Sequence, residues 1–177
     1  MVLRLLRGLV GLVDRASDVA AAIGMVMIVL MIGTVLFEVT SRQVFGAPTI
    51  WAYDISYMLN GGLFMIGAAY TLRKGSHVRV DFLFETLPAA VQHMLQILLY
   101  LGLLVPVLAI GTQMAVFRAH RAYVRGTLEN ASAWEPILWP FLTILALGLT
   151  MLLLQVLAEA LRSILDLIDI ARRRTRR

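Results

Sequence analysis

Cysteine is absent from the 177-residue chain, which excludes a disulfide framework, a thiolate metal site and a cysteine nucleophile. Charge is scarce as well. Asp, Glu, Lys and Arg together make up 15 % of the residues, whereas soluble domains carry about 25 % to solvate their surfaces. That shortage argues against a soluble enzyme. The 60 % share of hydrophobic residues equally excludes a disordered chain, which needs low hydrophobicity and high net charge. Gly-rich phosphate loops, nucleophile–base pairs and metal-ligand spacings such as HExxH are also missing. The sequence therefore offers no catalytic constellation, and neither an enzyme, a cofactor nor a metal site is expected.

What is present is apolar length. Mean hydropathy is +0.82, and four runs approach the ~20 residues that cross a hydrocarbon core at 1.5 Å per residue. The sequence predicts an all-α integral membrane protein with spans at about 19–37, 55–72, 94–117 and 137–157. The first, Val19 to Phe37, holds no charge. The second is weaker, with Ser56, Asn60 and Thr71 inside it. Pro106 is expected to kink the third, because proline removes a helix hydrogen bond and crowds the preceding turn. Pro140 falls in the first turn of the fourth, where its missing N–H costs little.

Residues 1–18 read as an amphipathic segment on the membrane surface. Arg4, Arg7, Gly11, Asp14, Arg15 and Asp18 form one stripe, and Leu5, Leu6, Leu9, Val10, Leu12 and Val13 the other. The run after it is too long for a cleaved signal peptide and leads straight into Glu38, Thr40, Ser41 and Arg42, so it reads as a retained span. A second amphipathic segment is expected at Val80–Leu87, and residues 161–177 read as a basic tail.

The formal net charge is +5, but the basic residues flank apolar runs, so a nucleic-acid partner is not expected. With both termini on one side, that side holds 12 Lys and Arg against 4 on the other. The positive-inside rule then places both termini in the cytoplasm. Arg118, Arg121 and Arg125 fall on the opposite side, and a third helix extending past Phe117 would carry them on a protruding end.

Polar groups near a bilayer are costly and ask for a partner or a task. Glu38 and Arg42 stand four residues apart and can pair. Asp54 opens the second helix, where a carboxylate suits the positive end of the helix dipole. Trp51 reads as an interfacial residue. Glu38, Arg42 and Asp54 are expected to form a neutralised cluster at headgroup level; the sharper alternative makes Glu38 a proton or cation site. Asn60, Gly61 and Gly62 read as a close-packing face with an amide able to bond across it. His77, His93 and His120 do not fall at matching depths in facing spans, so haem ligation is not expected.

Several of these strings resemble one family. Ser41-Arg42-Gln43-Val44-Phe45-Gly46-Ala47-Pro48-Thr49-Ile50-Trp51, followed by Asp54, resembles the first periplasmic connection of the small (DctQ-type) permease subunit of TRAP transporters. Gly67-Ala68-Ala69-Tyr70, Arg73-Lys74-Gly75, His77-Val78-Arg79-Val80-Asp81 and Leu87-Pro88 are similar to its second helix and the "G-x-H-[IV]-x-[IV]-D" segment after it. Trp139-Pro140, Gly148 and Leu152-Leu153-Leu154-Gln155 resemble its last helix. The likeness runs from about Leu36 to Glu159. Asp54 departs from it, since members more often carry Glu there.

The resemblance implies a secondary transporter of bacterial or archaeal type, made of a periplasmic substrate-binding protein, a large permease subunit and this small one. Such systems import organic acids, usually on a sodium gradient. The small subunit is expected to scaffold and anchor the large one among membrane lipids. Glu38, Arg42, Trp51, Asp54, Asn60, Gly61, Gly62, His77 and Asp81 are its expected interface or structural residues. Arg121, Arg125, Glu129 and Glu135 are candidates for docking the binding protein, since rim charges tune encounter more than affinity. The competing reading is a self-sufficient homo-oligomeric cation or drug exporter coupled through Glu38.

Overall fold

The computed structural model describes residues 2–74 and 88–174. His77, Asp81 and the expected Val80–Leu87 segment lie outside the described residues. Helices account for nearly everything else: α1 (Val2–Val44), α2 (Ala52–Arg73), α3 (Ala89–Leu99), a π-helical turn (Tyr100–Leu104), α4 (Val105–Arg125) and α5 (Trp139–Arg174). Helix α3, the π turn and α4 follow one another without a break and form the third span. Among the described residues, four helical stretches are long and apolar enough to cross a membrane: Val10–Val44, Ala52–Arg73, Met94–Arg125 and Trp139–Ile168. The protein is an all-α membrane protein with four spans.

Local chemistry sets the ends and irregularities. No proline interrupts the chain before Pro48, so the amphipathic N-terminal segment runs directly into the first span as one 43-residue helix. At 1.5 Å per residue that helix is roughly 65 Å long, about twice the hydrocarbon thickness. It ends where Gly46 takes a left-handed conformation (φ 58°). The chain then folds back, with Ala47 N–H donating to the Ser41 carbonyl at 3.1 Å. Pro106 sits in the first turn of α4 directly after the π turn. The proline ring collides with the carbonyl four residues back in a regular helix; the wider turn opens the spiral there, and Val105 N–H reaches back to the Tyr100 carbonyl. Helix α4 continues past Phe117 to Arg125 and stops at left-handed Gly126, so Arg118, Arg121 and Arg125 ride on its last two turns.

Helix α5 is the centre of the arrangement. It packs against α1, α2 and the third span, while the principal packing of the third span is on α5. Ala20, Met27 and Ile66 form the buried core, with Leu59, Ile144 and Met151 against it. Small residues bring the backbones together. A Cβ on Gly148 would meet the Met65 backbone carbon at 2.6 Å, and one on Gly62 would meet Met27 at 2.7 Å and Ile144 at 2.9 Å. Gly148 therefore marks a helix crossing that any side chain would force apart, while a side chain at Gly62 would have to displace Met27 and Ile144.

Candidate functional site: two polar ends and one polar helix face

One end of the protein gathers the beginning of α1, the end of α2, the beginning of α3 and the end of α5. Its hub is Asp14. One carboxylate oxygen lies 3.4 Å from Arg73 Nε of α2 and accepts a hydrogen bond from Gln155 Nε2 of α5 at 3.3 Å. The other carboxylate oxygen pairs with Arg162 of α5. Arg73 also donates to the Asp14 backbone carbonyl at 2.8 Å and pairs with Asp18, while Arg162 donates to Glu159 at 2.7 Å. Gln155 is fully buried. It donates to Glu159 at 3.3 Å and accepts from Ser17 Oγ at 2.9 Å. Ser163 of α5 donates to Gln96 of α3 at 3.0 Å, which ties the third span to the same end.

None of these groups figured among the expected site residues, although two of them had a visible oddity. Gln155 interrupts the run Leu152–Leu157, and Asp14 lies next to apolar Leu12 and Val13. Three carboxylates and two guanidinium groups share this partly buried end. Pairing of this kind is required where a charge leaves water, because an unmatched ion costs far more than its partner recovers.

The opposite end is organised differently. Glu38 accepts from Arg42 at 2.5 Å, from the Thr49 N–H at 3.0 Å and from the Thr49 hydroxyl. The carboxylate thus clamps the Gly46 fold-back onto its own helix. Trp51 stacks on Phe37 with ring centroids 5.6 Å apart. Asp54 does not join the expected cluster with Glu38 and Arg42. The fold-back supplies Thr49 to Glu38, while Asp54 on the first turn of α2 is buried and accepts from Ser132 of the α4–α5 connection. That connection is an irregular hairpin, with Leu128 and Ile137 bridged and Glu129 N–H donating to the Pro136 carbonyl at 2.9 Å. Arg121, Arg125 and Glu135 are exposed and Glu129 is half-buried; the Arg121 guanidinium lies over the Phe117 ring at 5.3 Å.

The middle of α2 separates residues that the sequence groups together. Gly62 faces inward, and a Cβ on Gly61 would meet Phe141 of α5 at 3.0 Å. Asn60 instead points outward and is exposed. It lines a groove of about 600 Å³ with Ser56, Tyr53, Tyr57 and the α1 residues Met31, Ile32, Val35 and Leu36.

With this geometry in place, the comparisons with known proteins settle the family. The model for the DctQ component of tripartite ATP-independent periplasmic transporters matches residues 31–166. The chain belongs to that family. It is therefore a component of a transporter and a multi-pass protein of the inner membrane. This DctQ component is also similar to the sialic acid TRAP transporter permease protein SiaT of Haemophilus influenzae (strain 86-028NP), with 30 % identity over 70 residues, or 40 % of the chain. The matched stretch takes in 11 % of that relative, so the chain spans only a small part of the relative's length. No solved structure matches it.

Proposed function

We propose that the protein is the fixed membrane subunit of a TRAP-type importer, holding a large permease subunit in place while a periplasmic binding protein delivers an organic acid. Family membership carries this reading, and the ionic interlock supports it. Four helices joined across one end by Asp14, Arg73, Gln155, Arg162 and the Ser163–Gln96 bond suit an element that keeps its shape while a neighbour moves. Coupling to sodium and cytoplasmic placement of both termini belong to the same proposal, the latter resting on the 12-to-4 distribution of Lys and Arg. Arg121, Arg125, Glu129 and Glu135 are proposed to meet the binding protein. Glu38 is held by Arg42 and Thr49 at the end of its span, which favours this reading over an exporter coupled through that carboxylate.

The test is affinity purification of the tagged protein from its native host in mild detergent. A stoichiometric large permease in the eluate supports the anchor role; recovery of the chain alone, still able to transport after reconstitution, defeats it. Uptake by the reconstituted complex, driven in turn by a sodium and a proton gradient, decides the coupling ion.

A further inference from the structure

The outward side of α2 differs from the exposed face of α1. The exposed face of α1 is built from Val19, Ile23, Val26, Leu30 and similar side chains, the composition that lipid tails accept. On α2, Tyr53, Tyr57, Asn60, Phe64, Gly67 and Thr71 recur at alternating spacings of four and three residues. That is the 3.5-residue period of a seam between two supercoiled helices. No aliphatic side chain occurs in it. Tyr53, Tyr57, Asn60 and Phe64 are exposed, and a Cβ on Gly67 would meet nothing within 4 Å. Asn60 sits on the third turn of a 22-residue span, deep enough that an unpaired carboxamide is costly in hydrocarbon.

We propose that this seam, with the adjoining α1–α2 groove, is where a transmembrane helix of the large permease subunit packs, and that Asn60 hydrogen-bonds to a polar group on that helix. Lipid offers neither the amide partner nor a surface matched to a 3.5-residue repeat. A polar side chain at one seam position fixes the register of two helices, and the open Gly67 lets the partner backbone approach closely. The curated relative points to the larger subunit as occupant, since there the matching stretch is a small part of one long permease chain. The proposal rests on the anchor role above.

Because the chain has no cysteine, single-cysteine variants can map the seam directly. Ser56→Cys, Asn60→Cys and Phe64→Cys, with Val29→Cys on α1 as the lipid-facing control, are co-expressed with the large subunit and labelled in membranes with a benzophenone maleimide before irradiation. The expected result is an adduct containing the large subunit from the α2 positions and none from Val29→Cys. Separately, Asn60→Leu is expected to lower large-subunit recovery after a detergent wash about threefold, the scale of one interhelical hydrogen bond in a bilayer. An adduct of twice this chain's mass overturns the proposal in favour of a second copy. Protein adducts absent from α2 while the large subunit still co-purifies overturn the seam but spare the anchor role. Failure of the unmodified pair to co-purify overturns both.

Discussion

The two polar ends of the protein use similar residues for opposite purposes. Around Asp14, the partners come from α1, α2 and α5, and Gln96 adds the third span; Arg162 is 148 residues away in sequence. Around Glu38, both partners lie within 11 residues, on the same helix and the fold-back that follows it. The first arrangement fixes helices relative to one another. The second shapes a loop, and the Asp54–Ser132 bond secures another loop to a helix start. Charge content alone therefore says little about what a charge holds; the sequence separation of its partners says more.

The comparison is most easily broken at its hub. Asp14→Ala leaves Arg73 and Arg162 short of a carboxylate, and with these side chains 15–34 % exposed the loss is expected to be about 2–3 kcal/mol, below the value for a fully buried pair. Thermal unfolding of the purified protein in detergent measures it, and an unchanged melting temperature would show that the interlock contributes nothing. Gly148→Ala drives a methyl into the Met65 backbone, and overpacking of this kind costs about 1–3 kcal/mol. The same assay checks it, with Gly111→Ala as a control whose Cβ meets nothing within 4 Å.

The Glu38 end should respond less. Arg42 is 61 % exposed and Glu38 17 %, and an ion pair with one partner largely in water contributes less than one whose partners are both partly enclosed. Glu38→Gln is therefore expected to shift unfolding by less than half the Asp14→Ala effect, and equal shifts would erase the distinction between the ends. Smallest of all in stability is the double reversal of Arg121 and Arg125 to Glu, at exposed positions. Its signature lies in the salt dependence of uptake, because such charges steer encounter and are screened by ions. An unaltered salt profile removes the docking role.

The span count was legible because four apolar runs are long and have polar joints between them. Continuation of α4 beyond Phe117 was legible too, as one way to place three arginines. The groups at the Asp14 end were not: which carboxylate meets which guanidinium depends on how helices far apart in sequence are phased and crossed, and hydropathy carries no such information. Asp54 shows the same gap, since its partner Ser132 lies 78 residues away. Asn60 and Gly62 are near neighbours in sequence but face opposite ways, a split set by 100° of rotation per residue. Spacing alone reveals that rotation, but not which side meets a neighbour.

The π turn ahead of Pro106 has a consequence for the arginines far above it. A single widened turn adds about one residue to the spiral, and every side chain after it is turned by roughly 100° from the azimuth a regular α-helix would give. Arg118, Arg121 and Arg125 thus owe their compass bearing to Tyr100–Leu104, several turns below. Deleting one residue from that stretch would swing all three together, leaving their number and height nearly unchanged. It would separate the direction in which this basic edge points from the charge it carries.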